Sequence, residues 1–210
     1  MLIVGAKGFA KEVLEICHQN NDTENLAFYD DVNDDVGDLL FDKFLVIHSI
    51  EEAKYYFQTF DNRFTIGIGK PELRKKMANK FIAIGGVWSS TISKFAEIGS
   101  YDVKISNGVN ILSGVRISNG TTIGNGCMIY YNSIITHDVI IQDFVEISPN
   151  VTILGNVTID NGSHIGAGSI ILPNRTIGKN VIVGAGAVVV SNLPDNCVAV
   201  GVPAKIIKQY

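Results

Sequence analysis

The second half of the chain repeats an apolar residue at every sixth position. From residue 105 onward this position holds fifteen isoleucines or valines in succession, namely Ile105, Ile111, Ile117, Ile123, Ile129, Ile135, Ile141, Ile147, Ile153, Ile159, Ile165, Ile171, Ile177, Val183 and Val189. The positions between them are rich in Gly, Asn, Asp and Ser, which tolerate bends and positive φ angles. A six-residue period fits neither an α-helix nor a simple hairpin. It predicts a parallel β-helix whose apolar residues point inward.

The first half alternates short apolar runs with helical patterns. A strand at "MLIV" precedes a helix over about residues 9–19, and Ser49 with Glu52 forms the capping box of a second helix. Pro71 stands at the favoured first position of a third helix. Strands that alternate with helices predict a small parallel sheet with helical crossovers. We therefore expect a Rossmann-like βαβ domain over residues 1–88 and an all-β domain with a C-terminal cap over residues 89–210.

The amino-acid composition limits the kinds of molecule that the protein is expected to bind. Of the 210 residues, 46% are hydrophobic and 18% charged, and the net charge of −4 offers no electrostatic reason to expect nucleic acid. The three cysteines are odd in number and far apart, so they predict neither a disulfide framework nor a zinc motif. No apolar stretch approaches the length of a membrane span. These features predict a cytoplasmic protein without membrane insertion.

Several motifs resemble those of one enzyme family. The hexads and the closing segment "GVPAKII" resemble the hexapeptide-repeat acyltransferases, while "GAKG", "FYDD" and "GIGKPELRKK" are similar to a narrower group. This group comprises bacterial nucleotide-amino-sugar N-acetyltransferases and the related sialic acid O-acetyltransferases, and the match covers essentially the whole chain. The resemblance implies a left-handed β-helix with three hexads per turn. It also implies a homotrimer that binds acetyl-CoA between neighbouring β-helices, with no metal.

His137 and Asp138 are the candidate catalytic residues. Eighteen residues per coil place His137 beneath Gly155, and Asp138 beneath Asn156, Asn174 and Asn192. A neutral imidazole is suited to removing a proton, and an adjacent carboxylate orients it. The resemblance implies that His137 is the general base and that Asp138 assists. The alternative is a surface pair at a polar corner.

The resemblance also implies a cofactor-binding set, which consists of Glu146, Gly155, Ala167 and Ala185. The last two stack with Pro149 at a corner of small residues, which predicts a smooth wall for the pantetheine arm. The alternative is that tight turns simply require small residues. Glu146 stands where relatives often carry a second histidine. Because an ionised glutamate does not donate to a carbonyl, this contact is altered or absent.

Substrate-binding candidates lie in the first half, namely Lys7, Gly8, Phe9, Asp30, Asp31 and Gly69. The turn before the first helix presents a helix N-terminus suited to phosphate. The two aspartates follow a strand, where they are positioned for ribose hydroxyls or a pyrimidine edge, and Gly69 allows close approach. Phe9 replaces a histidine that is common in relatives. The alternative for each is a turn-forming residue, and an NAD enzyme is disfavoured because the glycine spacing is incomplete.

We therefore expect an acetyl-CoA-dependent N-acetyltransferase that acts on a nucleotide-linked amino sugar. Sialic acid O-acetylation is the nearest alternative, because an amine and a hydroxyl need the same proton removed. A metal enzyme of the carbonic-anhydrase type requires a cluster of zinc histidines, whereas the repeats contain only His137 and His164. A noncatalytic scaffold is the third alternative, favoured by Glu146. His164 itself is interpreted as a surface or interface residue.

Overall fold

The computed structural model describes residues 1–210, which divide into two compact units, Met1–Ser93 and Lys94–Tyr210. We call them the N-terminal and C-terminal units. The helices of the N-terminal unit are α1 (Gly8–Gln19), α2 (Ile50–Thr59) and α3 (Pro71–Ala83). Its first six strands are β1 (Leu2–Val4), β2 (Ala27–Tyr29), β3 (Leu39–Leu40), β4 (Phe44–Ile47), β5 (Arg63–Ile66) and β6 (Val87–Trp88).

These six strands form one sheet in the order β3-β4-β2-β1-β5-β6. All neighbouring pairs are parallel except β3 with β4, so the predicted parallel sheet is confirmed, with an added antiparallel edge. The carboxyl ends of β1, β2 and β5 lie at the same edge, since parallel strands share a direction. The turns that follow these three strands are therefore brought together.

The helix ends follow from local sequence. Ser49 accepts a hydrogen bond from the backbone of Glu52 at 3.2 Å, and the Glu52 side chain accepts one from the Ser49 backbone at 3.1 Å, which confirms the capping box. Pro71 opens α3 as predicted. By contrast, the N-cap residue of α1, Lys7, makes no side-chain cap hydrogen bond. None of the three helices combines the length and the apolarity that crossing a bilayer requires.

Almost every strand after β6 is two residues long. They are β7 (Thr91–Ile92), β8 (Glu97–Ile98), β9 (Lys104–Ile105), β10 (Asn110–Ile111), β11 (Arg116–Ile117), β12 (Thr122–Ile123), β13 (Met128–Ile129), β14 (Ile134–Ile135), β15 (Ile140–Ile141), β16 (Glu146–Ile147), β17 (Thr152–Ile153), β18 (Thr158–Ile159), β19 (His164–Ile165), β20 (Ile170–Ile171), β21 (Thr176–Ile177), β22 (Ile182–Val183), β23 (Val188–Val189), β24 (Cys197–Val200) and β25 (Lys205–Gln209).

The strands of the C-terminal unit stack into three sheets. One has the order β23-β20-β17-β14-β11-β8, a second β21-β18-β15-β12-β9, and the third runs from β10 through β13, β16, β19, β22 and β24 to the antiparallel strand β25. Most strands pair in parallel with the strand eighteen residues later, as Ile129 does with Ile147. The inward residues from Ile111 to Val189 are at most 3% exposed. The predicted left-handed β-helix is confirmed.

Two coils depart from the eighteen-residue spacing. Ile98 pairs with Ile117, nineteen residues later, whereas Ile105 pairs with Ile123, which places one extra residue between positions 98 and 105, as the phase of the repeat predicts. At the other end Ile177 pairs with Leu193, only sixteen residues later. Asn192 consequently lies beside Thr176, and its predicted place above Asn174 is wrong.

Candidate active site

His137 and Asp138 occupy the corner between β14 and β15. Asp138 has a φ angle of 58°, a left-handed conformation that Asp and Asn tolerate better than other side chains. Its Oδ2 lies 2.8 Å from His137 Nδ1, and both side chains are about three-fifths exposed. Because an ionised carboxylate only accepts hydrogen bonds, Nδ1 carries the proton, and in the neutral ring Nε2 keeps its lone pair. That atom is the candidate base.

Gly155 lies against the imidazole, as the eighteen-residue period predicts. The backbone N–H of the next residue, Asn156, donates to the His137 carbonyl at 3.2 Å. A Cβ at Gly155 would lie 2.5 Å from Cε1 and 2.7 Å from Nε2 of His137. The φ angle of Gly155 is outside the left-handed region. Glycine is therefore required here for space beside the ring and not for backbone conformation.

Pro149, Ala167 and Ala185 stack at another corner, as predicted. The N–H of Gly168 donates to the Pro149 carbonyl at 2.9 Å, and the N–H of Gly186 donates to the Ala167 carbonyl at 2.8 Å. Both alanines are exposed, so this corner is a surface without projecting side chains. Such a surface admits a narrow, flexible molecule at close range.

Glu146 lies beside His164, which the sequence predicts to be a surface or interface residue. Glu146 pairs with His164 in the β16–β19 register, and Glu146 Oε1 lies 3.5 Å from His164 Nε2. Ser148 Oγ lies 2.9 Å from the same nitrogen. Because both partners meet Nε2, the three residues do not form a serine relay, in which the acid and the serine use opposite ring nitrogens. The spacing of eighteen between 146 and 164 was the available signal for this contact.

A cavity of about 370 Å³ opens at the sheet edge of the N-terminal unit. Its lining includes all six predicted substrate-binding residues, which are Lys7, Gly8, Phe9, Asp30, Asp31 and Gly69. They come together because the turns after β1, β2 and β5 share one edge. A pocket at the carboxyl ends of parallel strands, beside a helix N-terminus, is the usual position for a phosphate-bearing ligand in α/β domains.

Asp30 holds the turn after β2. Its carboxylate accepts hydrogen bonds from the backbone N–H groups of Ala6 at 3.3 Å, Val32 at 3.2 Å and Asn33 at 3.0 Å. The Asn33 side chain donates to both carboxylate oxygens at 2.9 Å. Asp30 is only 6% exposed, so its acceptor capacity is used within the protein. Sequence reasoning missed Asn33, whose role depends on the orientation of its side chain.

Asp31 belongs to a different cluster. Its Oδ2 accepts hydrogen bonds from the Tyr29 hydroxyl at 2.7 Å and from Lys80 Nζ at 3.0 Å. Partial burial alone would raise the pKa of Asp31, but these two hydrogen bonds outweigh it and lower the pKa. Burial by itself would lower the pKa of Lys80, and the hydrogen bonds with Tyr29 and Asp31 raise it instead. The cluster therefore holds a carboxylate–ammonium pair in its charged form.

Gly69 lines the cavity, and Arg74 holds the turn that carries it. A Cβ at Gly69 would meet no atom within 4 Å, so packing does not explain the glycine, and the space beside it is open. Arg74 is 1% exposed and donates a hydrogen bond to the Gly69 carbonyl. This buried guanidinium positions the turn between β5 and α3. Sequence reasoning missed it, since the arginine reads as one of several basic residues on a helix.

Two family models match parts of the chain, one in each unit. The family model of the PglD N-terminal domain matches residues 1–81, and that of the bacterial transferase hexapeptide (six repeats) matches residues 138–173 and 156–191. The first match lies within the N-terminal unit and the two hexapeptide matches lie within the C-terminal unit. The predicted resemblance to nucleotide-amino-sugar acetyltransferases is thereby confirmed. No curated protein sequence matches the chain.

Solved structures are similar over nearly the whole chain. A mutant of perosamine N-acetyltransferase from Caulobacter crescentus, in complex with CoA and GDP-perosamine, has a TM-score of 0.90 and 28% identity, covering 99% of this chain and 96% of that one. The acetyltransferase domain of PglB from Neisseria gonorrhoeae, in complex with acetyl coenzyme A, has a TM-score of 0.86 and 25% identity, covering 98% of each chain. WeeI from Acinetobacter baumannii has a TM-score of 0.88 and 28% identity, covering 98% of each chain.

Proposed function

We propose that this chain is an acetyl-CoA-dependent N-acetyltransferase that acts on the amino group of a nucleotide-linked amino sugar in bacterial glycan biosynthesis, in the cytoplasm. One observation carries the proposal. The His137 ring is oriented by Asp138, lies against the bare backbone of Gly155, and belongs to a side chain that is 63% exposed. The complexes of similar structures with CoA, acetyl-CoA and GDP-perosamine support the substrate class.

His137 acts as the general base in the proposed mechanism. The amino nitrogen of the sugar attacks the thioester carbonyl, and Nε2 of His137 removes a proton from that nitrogen as the new C–N bond forms. Asp138, which accepts from Nδ1–H, stabilises the imidazolium. The tetrahedral intermediate then collapses, the C–S bond breaks, and the imidazolium returns the proton to the CoA thiolate. Backbone N–H groups at the coil corners stabilise the oxyanion.

The cofactor is proposed to follow the corner of small residues. Ala167 and Ala185 at this corner, and Gly155 at the corner of His137, leave room for the pantetheine arm because none of them projects a long side chain. We assign the acetyl-CoA site to the cleft between neighbouring β-helices of a homotrimer, which agrees with the exposure of His137 in the single chain. Glu146 contributes to the wall of this site through His164, to which it is paired. The proposed homotrimer should therefore have three times the mass of one chain in solution.

The nucleotide is proposed to bind in the cavity of the N-terminal unit. The N-terminus of α1 at Lys7 and Gly8 faces the cavity, where its amide groups and positive dipole end favour a diphosphate. The Lys7 ammonium, now 2.5 Å from Asp35, lies at the same site and adds positive charge. Gly69 leaves space for the ligand.

Release of the CoA thiol tests the proposal. Purified protein is incubated with acetyl-CoA and a panel of nucleotide-linked amino sugars, free amino sugars and free sialic acid. We expect turnover with a nucleotide-linked amino sugar, and a loss of about 10²- to 10⁴-fold in kcat for His137→Ala with the trimer intact. Turnover with sialic acid alone assigns O-acetylation instead. A His137→Ala enzyme with near-normal kcat contradicts the proposed base.

A further inference from the structure

His164 has one engaged ring nitrogen and one open ring nitrogen. Nε2 lies 2.9 Å from Ser148 Oγ and 3.5 Å from Glu146 Oε1. Nδ1 makes no hydrogen bond within the protein, and the side chain is about two-fifths exposed. Because a carboxylate repels a nitrogen lone pair, the proton of the neutral ring lies on Nε2 and is donated to Ser148 Oγ. Nδ1 is then an unused acceptor.

Glu146 and Ser148 also fix the direction in which Nδ1 points. Ser148 is 8% exposed and the Glu146 side chain is 18% exposed, so both partners are held by their surroundings. A half-turn of the imidazole would place Cε1 against Ser148 Oγ, where Nε2 now lies, and would lose the hydrogen bond. Nδ1 is therefore an acceptor with a fixed orientation.

The imidazole borders the corner of small residues. Ser148, which the ring contacts, directly precedes Pro149 of this corner. His164 stands three residues before Ala167 on the next coil, which pairs with the coil of Ser148. Proline and alanine side chains neither donate nor accept hydrogen bonds. His164 thus adds a polar atom at the edge of a corner whose own projecting side chains have none.

We propose that Nδ1 of His164 accepts a hydrogen bond from an amide N–H of the pantetheine arm of acetyl-CoA, an assignment that rests on the acetyltransferase function proposed above. Pantetheine contains two secondary amides, and each carries one N–H donor. A donor that leaves water for a partly enclosed cleft loses affinity unless it meets an acceptor. The small residues give the arm room, and His164 supplies the acceptor.

Glu146 acts through His164 in this arrangement. An ionised carboxylate cannot bind a thioester carbonyl directly, because it only accepts hydrogen bonds. Placed beside Nε2, it holds the ring proton on that nitrogen and so keeps Nδ1 an acceptor. Glu146 and Ser148 are therefore positioning residues, and His164 is the residue that contacts the cofactor.

Two variants separate the roles of the two ring nitrogens. Asparagine at position 164 places its amide oxygen where Nδ1 lies but does not reach Ser148. Glutamine reaches the position of Nε2 but leaves no acceptor in the place of Nδ1. Dissociation constants for CoA are measured by isothermal titration calorimetry on the full-length protein. We expect His164→Asn to stay within about twofold of the wild type and His164→Gln to bind CoA about three- to tenfold more weakly.

A control and a further variant complete the experiment. His18→Asn changes an exposed histidine of α1 and should leave the affinity for CoA unchanged. Circular dichroism and a mass measurement verify that each variant has the fold and the oligomeric state of the wild type. If either variant at position 164 does not fold, Ser148→Ala decides. It removes the acceptor of Nε2–H, allows the ring to turn, and should weaken CoA binding by about two- to threefold.

The outcomes distinguish this inference from the proposed function. Weaker binding by His164→Gln than by His164→Asn establishes the contact with Nδ1. The reverse order shows that the ring acts only through Ser148 and Glu146, and equal affinities of the two variants remove any role of Nδ1. Both results overturn the inference while the acetyltransferase function stands, as does an unchanged affinity of Ser148→Ala where that variant decides. Failure of the wild-type protein to bind CoA overturns both proposals.

Discussion

At the scale of single residues, Asp138 has two tasks that one substitution separates. It adopts a left-handed φ of 58° at the coil corner, and it accepts a hydrogen bond from His137 Nδ1–H. Asn156 and Asn174 adopt the same conformation at the same corner of later coils. Asparagine therefore fits the backbone at 138 but carries no charge.

Asp138→Asn should leave folding intact and reduce kcat. The amide still reaches the ring, but a neutral group stabilises the imidazolium less than a carboxylate does. We expect a loss of about tenfold, corresponding to roughly 1.4 kcal/mol, which is smaller than that of His137→Ala. Steady-state kinetics and thermal unfolding of the purified variant measure both effects. A kcat equal to that of the wild type would show that the carboxylate has no part in proton transfer.

Gly155→Ala should displace the base, His137, and lower kcat while leaving the imidazole itself chemically unchanged. The added methyl group would lie 2.5 Å from the His137 ring, so the imidazole must move by about an ångström to relieve the clash. A displacement of this size costs about 10²-fold in kcat. Gly37→Ala is the matched control, because a Cβ there meets no atom within 4 Å. Full activity of Gly155→Ala would place the reacting atoms on another side of the ring.

At the scale of elements, periodic signals predicted structure well and irregular ones did not. The hexad repeat predicted the coils of the β-helix, the register in which their strands pair, and the contact of Gly155 with His137. A fixed period also fixes which residues are neighbours in successive coils. The sixteen-residue spacing from Ile177 to Leu193 follows no repeat, so the place of Asn192 was predicted wrongly. The edge strand β3 is two residues long and carries no pattern. The partners Asn33, Lys80 and Arg74 depend on side-chain orientation, which a sequence pattern does not contain.

Gly166 and Gly168 of the small-residue corner are required for different reasons. Substitutions at the two positions should therefore have different effects on stability. A Cβ at Gly166 would lie 2.6 Å from the Val183 carbonyl oxygen and 2.7 Å from the Ala185 nitrogen, both backbone atoms that do not yield. Gly168 has open space but a φ of +67°. Asn150, one coil earlier, adopts a φ of 59° at the corresponding position.

Gly166→Ala should therefore destabilise the C-terminal unit by about 1–3 kcal/mol. Gly168→Asn should stay within about 0.5 kcal/mol of the wild type, because asparagine tolerates the left-handed conformation. Thermal unfolding followed by circular dichroism compares the two variants under identical conditions. The opposite ranking would mean that φ, and not backbone proximity, determines the residues at this corner.

At the scale of the whole molecule, the two units have different kinds of core. The C-terminal unit is filled by the ladder of isoleucines and valines. The N-terminal unit has an aromatic core, in which Phe57, Phe64 and Phe81 pack together and the ring of Trp88 stacks on Phe64 with centroids 6.5 Å apart. Because Trp88 is the only tryptophan of the chain, its fluorescence reports on the N-terminal unit.

An ionic network links the start of the N-terminal unit to its sheet. Asp61 Oδ2 lies 2.9 Å from the Met1 amino group, and Arg63 pairs with Asp61 at 2.8 Å and with Asp22 at 2.9 Å. Burial alone would raise the pKa of Asp61, but the hydrogen bonds from Arg63 and the amino terminus lower it to about 2. A pKa below the unfolded value of 3.8 means that the ionised carboxylate stabilises the fold.

Asp61→Asn should lower the stability of the N-terminal unit in a pH-dependent way. The stabilisation is fully present above the unfolded pKa and is lost as the pH falls through the folded pKa, so the difference from the wild type should shrink between pH 4 and pH 2. At pH 7 we expect a loss of about 1–2 kcal/mol, allowing for solvent screening. Urea unfolding monitored by Trp88 fluorescence measures it, with Asp34→Asn as the control because Asp34 is exposed and unpaired. A difference that stays constant from pH 7 to pH 2 would show that Asp61 acts through its hydrogen bonds alone and not through its charge.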